Sequence, residues 1–140
     1  MKQIRQTLIL LLCITALGSC KMGDETGDLD GMWQMTEWRD RATGTSKITK
    51  SDQIYVSFQL KLMKLQRLDQ KHYYLSDFMV RNDSIILGNT ITYPADTIVA
   101  TDTLTKWFAV PADKRFRIDE LSNSRMQLST AANILQFRKY

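Results

Sequence analysis

The sequence predicts an all-β domain, either a sandwich or a small antiparallel up-and-down barrel, with eight or nine short strands. Apolar and polar residues alternate along several segments, which is typical of strands with one solvated face. Turn-forming residues separate these segments at short, regular intervals. The two prolines, Pro94 and Pro111, both fall at predicted breaks, so neither interrupts a predicted strand.

An apolar leader precedes this domain. It begins with the bases Lys2 and Arg5, continues with the apolar residues 8–17, and ends with small residues before Cys20. This order is typical of a bacterial lipoprotein signal, in which residues 1–19 are cleaved and Cys20 is acylated. The alternatives are a secretory signal cut elsewhere or an uncleaved anchor. The apolar run is about half the roughly twenty residues that a membrane-spanning helix needs.

The leader predicts a location for the protein. Two or more acyl chains on Cys20 would anchor it stably, and we expect it on the bacterial outer membrane, facing the periplasm or the cell surface. Residues 20–28 are polar and predict a flexible tether. Asp24 and Glu25 in the tether resemble an acidic export signal, with a plain solvated linker as the alternative.

Charge and cysteine content narrow the possible functions. The chain has 19 Lys and Arg against 15 Asp and Glu; the leader takes two of the bases, which leaves 17 against 15. No basic stripe with interleaved aromatics occurs, so we expect no nucleic-acid partner. The two cysteines, Cys13 and Cys20, lie in the leader and at its cleavage point. We therefore expect no disulfide in the domain, so that its stability depends on the hydrophobic core alone.

The first long alternating run covers residues 54–62. We expect a strand with its apolar positions on the inner face: Ile54, Val56, Phe58, Leu60 and Leu62. Tyr55 would then face outward. The spacing of Leu62, Leu65 and Leu68 leaves a helical continuation open.

The middle of the chain predicts shorter elements. Residues 72–81 form a strand with Tyr74, Ser76, Phe78 and Val80 on one face. Asn82-Asp83 predicts a hairpin turn leading into residues 84–87, and Gly88-Asn89 predicts a second turn. Short strands follow over 90–93 and 97–101. Residues 102–108 predict one helical turn that Asp102 caps.

The C-terminal part predicts an antiparallel meander. Its strands cover residues 115–121, 125–129 and 134–140. The inward positions are apolar: Phe116, Ile118, Met126, Leu128, Leu135 and Phe137. A barrel closed by such a meander would have no exposed edge.

Several segments carry a family resemblance. Gly31-Met32-Trp33 resembles the Gly-x-Trp motif that opens lipocalins and other calycins. With the lipobox, the wider chain looks like the small lipocalin-like lipoproteins of Bacteroidetes, mostly without assigned function, on these segments: 29–34, 53–60, 72–74, 115–118, 126–129 and 137–140. The resemblance implies a lipocalin-like barrel of about eight strands over residues 29–140. It also implies that Trp33 closes the barrel floor under a basic residue, Arg138 or alternatively Lys139.

The resemblance and the residues leave three functions open. The first is binding of a small apolar ligand or an envelope component inside the barrel, with the candidate ligand-binding residues Phe58, Tyr74, Phe78, Trp107 and Phe108. The second is a filled barrel that docks an envelope protein through exposed aromatics around Tyr55, Tyr73 or Trp107. The resemblance favours the first, whereas the small size of the barrel favours the second.

The third function, an enzyme, has little support in the sequence. His72 is the single histidine, so the sequence offers no histidine pair for a metal and no Ser-His-Asp arrangement. Asp77 and Glu37 could form an acid–base pair in principle, but solvated strand positions explain both. We therefore expect no catalytic residues, no metal ligands and no cofactor.

Overall fold

A computed structural model describes residues 27–140; the predicted leader, Cys20 and most of the predicted tether lie outside the described residues. The described strands are β1 (Gly31–Asp40), β2 (Ser46–Ile48), β3 (Ile54–Gln59), β4 (Leu62–Arg67), β5 (Tyr73–Arg81), β6 (Ser84–Tyr93), β7 (Thr97–Ile98), β8 (Arg115–Leu121), β9 (Arg125–Ser129) and β10 (Asn133–Lys139). They are accompanied by the helix α1 (Thr101–Phe108) and two 3-10 turns, Gly27–Leu29 and Lys50–Asp52.

Eight of these strands form a closed antiparallel barrel. The neighbours run β1-β3-β4-β5-β6-β8-β9-β10, and β10 pairs back with β1 along most of its length. β2 extends β1, and β7 pairs with the end of β6. The predicted all-β, up-and-down barrel is therefore confirmed, and the sandwich alternative is not. No helix among residues 27–140 has the length and apolarity to cross a bilayer.

The barrel interior is apolar because the strands alternate. Inward residues of β1, β3, β8, β9 and β10 are buried, among them Trp33, Phe58, Phe116, Met126 and Phe137. The predicted inner faces of the three C-terminal strands are confirmed, although Ile118 is only half-buried. Outward residues of the same strands are mostly polar.

The run 54–62 is not one strand, as predicted, but two strands joined by a tight turn. Gln59 pairs with Leu62, so Leu60 and Lys61 form the turn, and Leu60 takes a positive φ of 56°. Leu60 is 79% exposed and Leu62 51% exposed, so the prediction that they face inward is wrong. The helical alternative after Leu62 is also wrong, because these residues form β4.

The hairpin at Asn82-Asp83 is confirmed, with Asn82 in the left-handed region at φ 53°. The second predicted turn is wrong, since Gly88 and Asn89 lie inside the continuous strand β6. At Gly88 the Asp77 carboxylate of the neighbouring strand occupies the space that a Cβ would take. A β-bulge at Asp77 lies beside this contact, and the exposed carboxylate covers Gly88 of β6.

The short strand predicted over 97–101 is reduced to Thr97–Ile98, and α1 begins at Thr101. The predicted cap by Asp102 is wrong: Ala100 occupies the N-cap position and makes no side-chain hydrogen bond. The helix ends at Ala109, whose left-handed conformation lets its N–H bond back to Leu104 and Thr105. Leu104 and Phe108 on the inner face of α1 are buried, so the helix covers one end of the barrel.

Candidate functional site

Four of the five candidate ligand-binding residues meet inside the barrel. Phe58 and Phe78 pack edge-to-face with centroids 5.2 Å apart, and Tyr74 and Phe108 do so at 5.7 Å. Each of the four is at most 6% exposed. Both pairs belong to one cluster of buried apolar side chains, so they occupy the barrel interior and are closed off from solvent.

Trp107, the fifth candidate, lies apart from this cluster. It is half-buried on α1, with the Arg67 guanidinium 4.9 Å and the Lys106 ammonium 5.0 Å from its ring centre. These distances are typical of cation–π contacts. Trp107 therefore attaches α1 to the end of β4 and does not share a pocket with the other four.

The few polar groups of the interior are hydroxyls. Ser76 and Thr90 are buried opposite each other on β5 and β6, and the Tyr74 hydroxyl lies 3.1 Å from Nε2 of His72. Burial raises the pKa of the Tyr74 hydroxyl. His72 therefore has a structural partner, and no group of three or more potential metal-ligating side chains occurs within residues 27–140.

The barrel floor is built on Trp33. Its ring is fully buried, and Nε1 donates a hydrogen bond to the Leu29 carbonyl at 2.8 Å. The Lys139 ammonium lies 4.3 Å from the ring centre and also donates to the Asp30 carbonyl. Gly31 takes a φ of 112° directly beside the Lys139 side chain, which leaves no room for a Cβ.

The prediction of Arg138 over the floor is therefore corrected to its alternative, Lys139. Lys139 is the direct cross-strand partner of Trp33, so the two side chains share the inner face. Arg138 pairs with Gln34 instead and faces outward, where its Nε donates to Gln34 Oε1 at 2.8 Å. The strand alternation separates the two neighbouring bases.

The outer aromatics differ in exposure. Tyr73 stacks on Tyr93 with centroids 4.9 Å apart, and the Lys64 ammonium lies 4.2 Å from the Tyr73 ring centre. Tyr55, expected to be exposed, is only 4% exposed because Tyr140 packs edge-on against it. Of the three predicted docking aromatics, Tyr73 and Trp107 keep partial exposure.

The carboxylates singled out by the sequence have separate partners. Glu37 accepts hydrogen bonds from Ser46 and from Arg39. Both lower the pKa of its carboxyl, and the bond from Ser46 has the larger effect. Asp77 is exposed and lies against Gly88. The structure therefore does not bring Glu37 and Asp77 together as an acid–base pair.

A groove of about 400 Å³ runs over the outer wall formed by β8, β9, β10 and β1. Its lining is mostly polar: Thr36, Lys50, Glu120, Arg125, Met126, Gln127, Gln136, Phe137 and Arg138. We call it the outer groove. Other surface depressions lie beside Arg117 and Asp119 and between Trp38 and Lys106. None of them is lined by Phe58, Tyr74, Phe78 or Phe108.

Sequence analysis missed the outer groove. The outward alternation of Arg125 and Gln127, and of Gln136 and Arg138, is visible in the sequence. The concave shape is not, because it arises from how four strands and the Lys50 turn are arranged in space; two of these strands carry β-bulges, at Thr36 in β1 and at Asp119 in β8. Bulges increase the local twist of a strand and have no clear sequence signature here.

Comparison with known proteins agrees with this geometry. A lipocalin-like domain family matches residues 12–140. The barrel superposes on a lipocalin-like protein from Bacteroides uniformis with a TM-score of 0.62 and 24% identity, covering 81% of this chain and 100% of that one. An uncharacterized protein from Bacteroides eggerthii gives 0.55 and 19%, covering 79% and 98%.

A protein from Burkholderia xenovorans gives a TM-score of 0.54 at 11% identity, covering 83% of this chain and 87% of that one. At these identities the three likenesses establish the fold alone. Comparison with curated protein sequences gives no match. The family match spans nearly the whole sequence, and the closed barrel with its Trp33 floor agrees with it: the chain belongs to the lipocalin-like domain family.

Proposed function

We propose that this protein is a lipid-anchored, non-enzymatic binding module of the bacterial outer membrane that recognises an envelope component with its outer surface. The observation that carries this proposal is the filled interior. Phe58, Phe78, Tyr74 and Phe108 occupy the volume in which a small apolar ligand would lie. An eight-stranded barrel has room either for its own side chains or for one small ligand, and here the buried aromatic side chains take that room.

Binding of an apolar ligand inside the barrel would require this packing to open. Removing a buried aromatic side chain from such a cluster costs about 3–5 kcal/mol, and a ligand would have to supply a comparable free energy. Helix α1 would also have to move, because Leu104 and Phe108 cover that end of the barrel. The outer surface offers grooves and partly exposed aromatics that need no such rearrangement.

The position of the barrel end at which β1 begins is consistent with a membrane anchor at Cys20. Gly31 at the start of β1 pairs with Phe58, so the Leu60-Lys61 turn lies at the end where the chain enters. Cys20 precedes Gly27 by seven residues, which span at most about 25 Å. Near this end three apolar side chains are largely exposed: Leu60, Leu62 and Met79. An acylated Cys20 would hold them close to the lipid headgroups.

The charged groups of the described chain support a role without catalysis. Glu37, Asp69 and Asp119 all have lowered pKa values and ion-pair with Arg39, Arg67 and Arg117. In each case the carboxylate stays ionised near neutral pH and already has a partner. Such groups are suited to stabilising a strand surface rather than to transferring protons.

The binding site can be located with the purified protein, residues 21–140. Native mass spectra after incubation with host lipid extract should give the bare protein mass. A photo-crosslinking residue in place of Tyr93, which lies partly exposed at the end of β6 beside Tyr73, should capture one defined envelope component. The same label in place of Asp96, in the turn after β6, is the matched control. A discrete lipid adduct that is lost in Phe58→Ala but kept in Trp107→Ala would contradict the proposal and establish an internal ligand.

The anchor has a separate test. The full chain, expressed in a bacterial host supplied with a clickable fatty acid, should carry the label and fractionate with membranes. The Cys20→Ser variant should lose both properties. Labelling that persists in Cys20→Ser, or wild-type protein free of acyl groups, would refute the anchor without bearing on the binding surface.

A further inference from the structure

We propose that the outer groove is a binding site for a small hydroxylated anion, such as a sugar that carries a phosphate or carboxylate group. This inference rests on the proposed function, since it names the outer-surface site and the chemistry it recognises. Three observations carry it: an unusual pairing of two arginines, an excess of unpaired bases, and a polar floor beneath them.

The two arginines lie directly opposite each other. Arg125 on β9 is the cross-strand partner of Arg138 on β10, and both side chains face outward. Like charges at directly opposed positions of an antiparallel pair destabilise the sheet. An anion bound between the two guanidinium groups would convert this repulsion into two favourable contacts.

The bases of the groove lack acidic partners. Lys50, Arg125 and Arg138 line it, and none of them forms an ion pair with another residue of the range 27–140. Glu120 is the single carboxylate in the lining, so the groove carries an excess of positive charge. Elsewhere on the described surface, Arg39, Arg67 and Arg117 are each paired with a carboxylate, whereas Arg81 and Arg115 are not. The groove differs from these single sites because three unpaired bases line one concavity.

Neighbouring groups position Arg138 for a ligand. Gln34 Oε1 accepts the hydrogen bond from its Nε, which fixes the guanidinium plane and leaves the terminal nitrogens available. Gln34 is itself only 5% exposed, and its Nε2 donates to the Lys50 carbonyl at 3.3 Å. One buried glutamine thus contacts the guanidinium of Arg138 and the backbone of Lys50. Arginine arranged in this way suits bidentate contacts to phosphate or carboxylate.

The rest of the lining indicates a ligand with hydroxyl groups. Gln127 and Gln136 are cross-strand partners next to the two arginines. Gln127 also pairs with Glu120 on β8. Amides and a carboxylate offer donors and acceptors to hydroxyls, which a bare oxyanion would not use. The volume of about 400 Å³ lies within the roughly 300–1,000 Å³ typical of small-molecule sites.

Isothermal titration and thermal melting of the purified protein test the proposal. The probes are glucose 6-phosphate, glucuronate, neutral glucose and inorganic phosphate, each at low salt. We expect the two anionic sugars to bind and to raise the melting temperature, with weaker binding of inorganic phosphate and none of glucose. Arg125→Gln or Arg138→Gln should weaken binding about tenfold or more, because each loses a charge-assisted contact.

The matched control is Arg81→Gln on the outer side of β5, which should bind like the wild type. Without ligand, Arg125→Gln should melt at or above the wild-type temperature, because it removes the repulsion with Arg138. Several results would overturn the proposal: no binding of either anionic sugar, equal binding of glucose or inorganic phosphate, or equal effects of the Arg81 and Arg138 substitutions.

Failure of the groove proposal can be distinguished from failure of the proposed function. If the Tyr93 photo-crosslinker captures its envelope component equally well in the wild type and in Arg138→Gln, while no anionic sugar binds, the outer groove is not the site. The outer-surface function then stands without it. If the crosslinker captures nothing but an anionic sugar binds the groove, the envelope partner is refuted and the site remains.

Discussion

Along β9 and β10, the two faces of the same strands carry opposite kinds of side chain. The inner face is apolar and buried: Met126, Leu128, Leu135 and Phe137. The outer face lines the groove: Arg125, Gln127, Gln136 and Arg138. The inner face is packed against the whole core and can change little without loss of stability. The outer face makes few contacts, so its residues can serve recognition.

This contrast reverses the usual expectation for a lipocalin-like barrel, in which the interior would hold the ligand. Here the interior aromatics stabilise the fold, whereas the unpaired charges lie outside. Substitutions on the two faces should therefore separate stability from binding, and the following predictions rank their effects on stability.

The largest effect is expected at Phe58. Phe58→Ala should lower the free energy of unfolding by about 3–5 kcal/mol, because it leaves a cavity beside Phe78 in a filled interior. Urea denaturation measures the loss. Leu60→Ala, two residues further along and exposed, is the control and should change stability by less than about 0.5 kcal/mol. A small loss at Phe58 would mean that the interior is loosely packed.

The floor should show an intermediate effect. Trp33→Phe keeps an aromatic ring but leaves the buried Leu29 carbonyl without its donor and weakens the contact with Lys139. The expected loss is about 1–3 kcal/mol by denaturant titration. Trp107→Phe makes the same chemical change at a half-buried site and should lose less. Equal losses at both positions would refute a special role for the Trp33 hydrogen bond.

A smaller effect is expected for the outer aromatic pair. Tyr73 and Tyr93 stack on each other across β5 and β6, on the outer surface of the barrel. A double-mutant cycle with Tyr73→Ala and Tyr93→Ala should give a coupling of about 0.5–1 kcal/mol. A coupling near zero would show that the pair is available for a partner without loss of fold stability, and a much larger one would make it part of the core.

The smallest effect is a pH dependence at Glu37. Hydrogen bonds from Ser46 and Arg39 lower the pKa of Glu37 below its ordinary value of 4.5. The ionised group therefore stabilises the fold above that value, and the contribution is lost as the pH falls through the folded-state pKa. The stability difference between wild type and Glu37→Gln should shrink on acidification below about pH 4.5. Ser46→Ala should reduce the same pH dependence of stability. If both variants kept the pH dependence of the wild type, the stabilising role of ionised Glu37 would be contradicted.

Much of the fold could be predicted from the sequence. The period-two alternation is a local property of a strand, so the inner positions of β5, β9 and β10 follow directly from the order of residues. Phe78, Met126 and Leu135 are buried as predicted. Asn82-Asp83 also encodes its own turn, because asparagine tolerates the left-handed conformation that the hairpin needs.

Other elements could not be predicted in this way. Leu60 occupies a left-handed turn position that its residue type disfavours, so no local signal marked the break between β3 and β4. Gly88 resembles a turn residue but lies within a strand, since its lack of a side chain accommodates Asp77 of the neighbouring strand. The two errors have different causes: an atypical residue at the turn hid the first break, and a contact with the neighbouring strand explains the glycine.

By itself, the sequence determined the fold class and the inward and outward positions of most strands, because alternation is a local pattern. The Trp33 floor was what the resemblance of the Gly-x-Trp segment implied. Only the tertiary structure decided that Lys139 rather than Arg138 covers Trp33, that α1 and the inner aromatics fill the barrel, and that Arg125 and Arg138 meet across a groove. The physical reason is register: which residues face each other depends on how strands pair across the closed barrel, and two β-bulges shift that pairing beyond what a linear pattern can express.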